Sequence, residues 1–94
     1  MANIILSGFI LVPEADLDIV TLALLEHTRL TRQEPGCICF EVKPNQDNPL
    51  RFDVYEEFVD QAAFDLHQQR VKASHWGTVT VNVSRHYQIT SNPD

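Results

Sequence analysis

The sequence feature that most constrains the fold is a helix stop followed by two alternating segments. Glu34-Pro35-Gly36 ends a helical pattern, because proline disfavours helical geometry in the residue before it and glycine permits the turn. Residues 37–43 and 51–58 then alternate side chains between two faces, as strands do. The polar residues 44–49 between them include two prolines and two asparagines, so they predict the loop of a β-hairpin.

Periodic segments on both sides of this hairpin predict the rest of the fold. The chain start is almost continuously apolar, which is typical of a strand covered on both faces. Together the segments give the order β-α-β-β-α-β, an α+β ferredoxin-like or split βαβ fold. In chain order, the predicted elements are a strand over 3–12, a helix from the region of Asp16 to Gln33, strands over 37–43 and 51–58, a helix from Gln61 to Gln69 with Asp60 as N-cap, a short helical or irregular segment over 71–76, a strand over 78–89 and a polar tail over 90–94.

The length and the net charge of the chain limit the number of domains and the classes of partner to be expected. A chain of 94 residues is predicted to form one domain, residues 1–94, with a limited core that dimerisation would enlarge. Its net charge of -6 disfavours nucleic acid and anionic membranes as partners. No run approaches the ~20 apolar residues of a membrane span, and residues 4–12 lack the basic flank of a signal peptide. A helix-covered sheet leaves its second face free, which predicts a homodimer joined through the sheets.

Two cysteines indicate the redox compartment. Cys37 and Cys39 lie two apart on one predicted strand, on the face opposite Ile38, Phe40 and Val42. They would lie about 6–7 Å apart by strand rise, which suits a mutual disulfide poorly. We therefore expect reduced, small and buried hydrophobic side chains in a cytoplasmic protein.

One carboxylate stands out as a candidate for chemistry. The strand over 51–58 puts Glu56 on the same face as Phe52, Val54 and Phe58, and an unpaired carboxylate on an apolar face costs stability. His67 on the next helix is its best candidate partner, and a carboxylate beside an imidazole can exchange protons with a carbonyl, enol or phenol. A purely structural Glu–His or Glu–Arg hydrogen bond is the alternative interpretation.

Other histidines have weaker signals. His27 is predicted at the edge of the buried helix face, where a histidine is more often a satisfied interior residue than a catalyst. His75-Trp76 suits a pocket mouth, with a surface histidine beside a core tryptophan as the alternative. A metal site built from Glu56, His67 and His75 is a weak alternative because the spacing is loose. Gly-rich phosphate loops and zinc or nucleophile motifs are absent from the sequence, so we predict no metal and no cofactor.

These motifs, in this order, resemble the antibiotic biosynthesis monooxygenase domain family. The resemblance covers essentially the whole chain, and its fragments are individually short. The matching fragments are Glu34-Pro35-Gly36-Cys37, Tyr55-Glu56-Glu57-Phe58, the Ala63 to His67 spacing, and His75-Trp76.

The resemblance implies a dimeric α+β barrel with a pocket between the helices and the sheet of each subunit. Some family members oxidise quinols or polyketide phenols with O2 and no prosthetic group. Others isomerise the phosphorylated dione autoinducer-2 phosphate, and others have no established activity.

This chain departs from the family pattern in two places that bear on the pocket. Relatives carry Asn-His where this chain has His27-Thr28, so the histidine stands one position early, or about 100° around the helix. The usual T-P-H-F is replaced by a segment without proline that ends in His75-Trp76.

Three functions follow as hypotheses. The first is a cofactor-independent monooxygenase acting on a small quinol, phenolic or enolic substrate. The second is an isomerase of a small phosphorylated dione that uses the same proton shuttle, with Lys72 or an arginine near the phosphate. The third is a non-catalytic dimer that binds a small ligand. We predict Glu56 and His67 as catalytic residues and, as substrate-binding residues, His27, Phe52, Phe64, His75 and Trp76.

Overall fold

The computed structural model describes residues 3–92 and places four strands and three helices within them. A short 3-10 turn at Glu14–Asp16 leads into the first helix. In chain order, the elements are β1 (Asn3–Leu11), α1 (Leu17–Arg32), β2 (Cys37–Pro44), β3 (Arg51–Phe58), α2 (Gln61–Lys72), α3 (His75–Val79) and β4 (Ser84–Asn92).

The four strands form one antiparallel sheet in the order β2-β3-β1-β4. Leu6 in the centre of β1 lies opposite Glu56 on β3 and Ile89 on β4. The helices pack on one face of this sheet, and the apolar side chains between the two layers form the core. The predicted α+β ferredoxin-like fold is confirmed.

Each long helix is fixed by one buried stripe. In α1 the stripe contains Val20, Ala23, His27 and Thr31, which recur at the three- and four-residue spacing of a helix. His27, predicted at the edge of that face, is therefore part of it. In α2 the buried residues are Phe64 and His67. The predicted cap at Asp60 is confirmed, since its carboxylate accepts a hydrogen bond from the Ala63 backbone amide at 2.8 Å.

The prediction of a strand over 78–89 is wrong at both ends. Residues 75–79 form α3, because the Ser74 hydroxyl accepts from the Gly77 amide at 3.2 Å and caps a new helix. Strand pairing with β1 ends where Leu11 meets Ser84, so residues before Ser84 have no neighbouring strand. The strand also continues beyond residue 89 to residue 92, through part of the predicted polar tail, whose last two residues lie outside the described range. The second helix likewise extends past Gln69 to Lys72.

A β-bulge changes the predicted faces of β2. Pairing with β3 shifts between Cys37 and Cys39, so Ile38 is the extra residue and is half exposed. Phe40 remains buried, and Cys37 rather than Ile38 packs against the core. Both cysteines are free and only partly buried, which corrects the expectation of buried side chains.

Among the described residues, no helix packs on the second face of the sheet. Phe9 stacks on His86 with ring centroids 4.7 Å apart, and the Arg51 guanidinium lies 3.9 Å above the Phe9 ring centroid. Tyr55 on the same face is 38% exposed. A mixed surface of this kind is compatible with the predicted homodimer, which remains a proposal. Among residues 3–92, no helix combines the length and the apolar character needed to cross a membrane.

Candidate active site

A cavity of about 640 Å³ lies between the helices and the sheet. Every element except β2 contributes a side chain or backbone to its wall. The wall combines apolar residues with one acidic side chain, two basic side chains and two histidines. Its residues are Leu6, His27, Glu56, His67, Gln68, Val71, Lys72, Trp76, Gly77, Arg85 and Tyr87.

Glu56 reaches this cavity because of the alternation of β3. The strand turns Phe52, Val54, Glu56 and Phe58 to the helix side, and all four are buried. Glu56 itself is 7% exposed. Burial, and then the negative charge of Glu34, raise the pKa of the Glu56 carboxyl from 4.5 to about 7. The carboxyl is therefore poised to gain or lose a proton near neutral pH.

His67 meets Glu56 from α2. Its Nε2 lies 3.5 Å from Glu56 Oε1, at the outer limit of a hydrogen bond, and only 3% of its side chain is exposed. Its ring packs on Phe58, with centroids 4.8 Å apart. Burial lowers the pKa of His67, and the nearby Glu34 opposes part of that shift. The structure thus brings the two predicted catalytic residues together inside one cavity.

Glu34 is a site residue that sequence reasoning missed, since it was interpreted only as part of the helix stop. Its Oε1 lies 2.9 Å from His67 Nδ1, and its Oε2 accepts from Arg70 Nε at 2.5 Å. Arg70 also donates to Thr31 Oγ1 at 2.9 Å. The available signal was Arg70 itself, which follows His67 by three residues and therefore shares its side of α2.

His27 and Trp76 form the wall beside this pair. Their rings stack with centroids 4.6 Å apart and an angle of 2° between the planes. Burial lowers the pKa of His27 to about 3, so its ring is neutral. His27 Nδ1 is buried and has no hydrogen-bond partner among the described residues. Despite its shifted position in the sequence, His27 lines the cavity and lies 6.0 Å from the His67 ring.

The edge strand β4 supplies polar groups that the sequence analysis did not assign to the site. Tyr87 faces the cavity and lies opposite Gly8 of β1, and burial together with the charge of Glu56 raises its pKa to about 12, so it stays protonated. Arg85 lies two residues earlier and donates to Thr80 Oγ1 at 2.9 Å. With Lys72 on α2, it gives the cavity two cationic groups.

Three predicted substrate-binding residues lie away from this cavity. Phe52 is a core residue near the start of β3, about 13 Å along the strand from Glu56 by strand rise. Phe64 is buried against Phe58, with ring centroids 5.6 Å apart. His75 is exposed and borders a separate cleft of about 40 Å³. His75 is therefore not placed to complete a metal site with Glu56 and His67. The described residues contain no group of three or more metal-binding side chains.

The chain is similar to a known protein family. Residues 3–78 match the sequence model of the family described as antibiotic biosynthesis monooxygenase. No curated protein sequence matches the chain.

Solved structures show the same fold. A protein from Shewanella oneidensis is 26% identical, with a TM-score of 0.73, over 96% of this chain and 88% of that one. A candidate antibiotic biosynthesis monooxygenase from Nitrosomonas europaea is 15% identical, with a TM-score of 0.78, over 99% and 89%. A Bacteroides thetaiotaomicron protein named a possible oxidoreductase is 18% identical, with a TM-score of 0.76, over 96% and 97%. The match of sequence model and fold shows that the chain belongs to the antibiotic biosynthesis monooxygenase family.

Proposed function

We propose that this protein is a cofactor-independent monooxygenase that oxidises a small quinol, phenol or enol with O2. The observation that carries the proposal is the Glu56–His67 pair inside a cavity of about 640 Å³. That volume is within the usual range for small-molecule sites, about 300–1,000 Å³. Membership of the family supports the same class of reaction.

The raised pKa of Glu56 suits the first step, removal of the substrate proton. A phenol has a pKa of about 10. A carboxylate with the ordinary pKa of 4.5 is a poor base for it, whereas the value of about 7 narrows the gap from about 5.5 to about 3 pH units. His67, held 3.5 Å away, can share the proton with Glu56. The pair thereby converts a phenol into an electron-rich phenolate.

The phenolate then reacts with O2, which is the oxidant and the source of the new oxygen. Electrons pass from the ring to O2, and a carbon–oxygen bond forms at a ring carbon. Breaking the oxygen–oxygen bond leaves one oxygen atom as the new quinone carbonyl. The other oxygen leaves as water with the phenolic hydrogen and the hydrogen of the attacked carbon. A phenol and O2 thus give a quinone and water. Leu6, Val71 and Trp76 supply the apolar part of the cavity wall.

Oxygen uptake with anthrone and a panel of naphthols tests the proposal, with chelator present and no added cofactor. We expect isotopically heavy O2 to label the quinone product. Glu56→Gln should lower kcat/KM by about 100-fold or more, because the amide cannot accept the proton. Glu57→Gln is the matched control, since Glu57 is the next residue of β3 and bonds Asn3 and Tyr55 instead of lining the cavity. Unchanged turnover in Glu56→Gln would contradict the proposed mechanism.

A second candidate is the isomerase of a small phosphorylated dione. Lys72 and Arg85 both line the cavity, and two cations suit a phosphate group. The Glu56–His67 pair would then move a proton between carbon and oxygen without consuming O2. Anaerobic turnover of such a dione phosphate, with KM raised in Arg85→Met, favours this function. Ligand affinity without turnover in either assay favours the third hypothesis, a non-catalytic binding dimer.

A further inference from the structure

His67 separates two openings in the structure. On one side lies the cavity with Glu56. On the other lies a cleft of about 280 Å³ bordered by Glu34, Leu66 and Arg70, among others. Of the residues that the structure describes, His67 alone borders both spaces. The two ring nitrogens face different partners, since Nε2 approaches Glu56 and Nδ1 approaches Glu34.

The hydrogen bond from Arg70 determines which oxygen of Glu34 faces His67. A guanidinium only donates hydrogen bonds, so the oxygen that Arg70 Nε contacts at 2.5 Å must be an acceptor. The remaining Glu34 oxygen lies 2.9 Å from His67 Nδ1, and a carboxylate there also only accepts. Nδ1 must then carry the proton of the neutral ring, which leaves the lone pair of Nε2 facing the cavity.

We propose that Glu34, held by Arg70, is the positioning residue that fixes His67 in the tautomer able to accept a proton at Nε2. This inference rests on the proposed function for its catalytic consequence, but the tautomer itself does not. When a proton arrives at Nε2, the imidazolium lies between Glu34 and Glu56, and the negative Glu34 stabilises it. Bonds balance in this step, because the proton that Glu56 takes from the substrate oxygen passes to Nε2 of His67 while the Nδ1 proton remains in place.

Glu34→Gln is the informative variant because it preserves shape while reversing one hydrogen bond. Arg70 donates to the glutamine oxygen, so the glutamine NH2 faces Nδ1. His67 must then accept at Nδ1 and carry its proton on Nε2, where it can no longer act as a base. The expected result is a loss of kcat of about 100-fold or more, with KM changed by less than about twofold.

A second change should reverse that loss. Arg70→Met in the Glu34→Gln background frees the amide to rotate and accept from Nδ1 again. We expect the double variant to recover at least about tenfold of the kcat lost in Glu34→Gln. If Glu34 were needed only for folding, the double variant would not recover kcat, because it has also lost the hydrogen bond from Arg70. Asp65→Asn is the matched control, being an exposed carboxylate on the same helix that bonds Gln61.

Nitrogen-15 NMR of the four histidines reads the tautomer directly, without substrate. The proposal expects the His67 proton on Nδ1 in the parent protein and in Asp65→Asn, on Nε2 in Glu34→Gln, and on Nδ1 again in the double variant. A proton on Nε2 in the parent protein overturns it, as does a Glu34→Gln variant with unchanged tautomer and kcat. If the tautomers follow this pattern but no substrate is oxygenated, the role of Glu34 stands and the proposed function fails.

Discussion

Glu56 couples the stability of the protein to pH. Its folded pKa of about 7 exceeds the unfolded value of 4.5, so the folded state binds the proton more tightly. The corresponding stabilisation is complete below pH 4.5 and is lost as pH rises to 7, by about 3 kcal/mol in total. We expect Glu56→Gln to gain stability relative to the parent protein across this interval. Urea unfolding at a series of pH values measures it, and parallel curves for the two proteins would contradict it.

His27 changes the stability of the protein with pH in the opposite direction to Glu56. Its folded pKa of about 3 lies below the unfolded value of 6.5, so its stabilisation is present above pH 6.5 and is lost as pH falls towards 3. His27→Phe keeps an aromatic ring against Trp76 and removes the group that protonates on unfolding. We expect this variant to lose less stability in acid than the parent protein. Acid titration followed by circular dichroism checks this, with exposed His75→Gln as the control that should follow the parent.

At the scale of elements, β4 depends on a single glycine. Gly8 has φ of 146°, and a Cβ placed there would lie 2.0 Å from the His86 carbonyl oxygen. We expect Gly8→Ala to force β1 and β4 apart and to cost about 1–3 kcal/mol or more. Because β4 carries Arg85 and Tyr87, ligand affinity in the cavity should fall as well. Urea unfolding and ligand titration measure both effects, and stability equal to that of the neighbouring Ser7→Ala would contradict the expectation.

Elements with strong local signals were predictable from the sequence, and those that depend on a distant partner were not. The helix stop and the hairpin follow from proline, glycine and alternation within a few residues. The start of β4 depends instead on where β1 ends, because Leu11 is the last residue that pairs with it. Val79, Val81 and Val83 alternate as a strand would, but the Ser74 cap makes the first of them helical.

In the candidate site, too, residues with local sequence signals were predictable and those that depend on a distant partner were not. The alternation of β3 was enough to predict that Glu56 faces the core, and His67 on the following helix was its predicted partner. Glu34 was missed because its approach to His67 joins residues 33 positions apart in the sequence. Phe52 was predicted to bind substrate and shares a face with Glu56, but a shared face does not give the distance along the strand.

For the whole molecule, the helix-free face of the sheet predicts a homodimer. This face contains Phe9 stacked on His86, and Tyr55 partly exposed. We expect sedimentation to give the mass of a dimer and Phe9→Asp to give a monomer, since a charge there would be buried at the contact. Leu22→Asp is the matched control, because Leu22 is 70% exposed on the outer side of α1. A parent protein that sediments as a monomer would contradict the prediction.

The stack of Trp76 on His27 also gives this protein an intrinsic optical signal. Trp76 is the only tryptophan in the chain, and its indole borders the cavity that contains Glu56 and His67. Its fluorescence therefore originates from one place, at the wall that an incoming aromatic ligand would touch. Emission intensity reports occupancy of the cavity without any label, so binding can be followed in every variant, including those that have lost turnover.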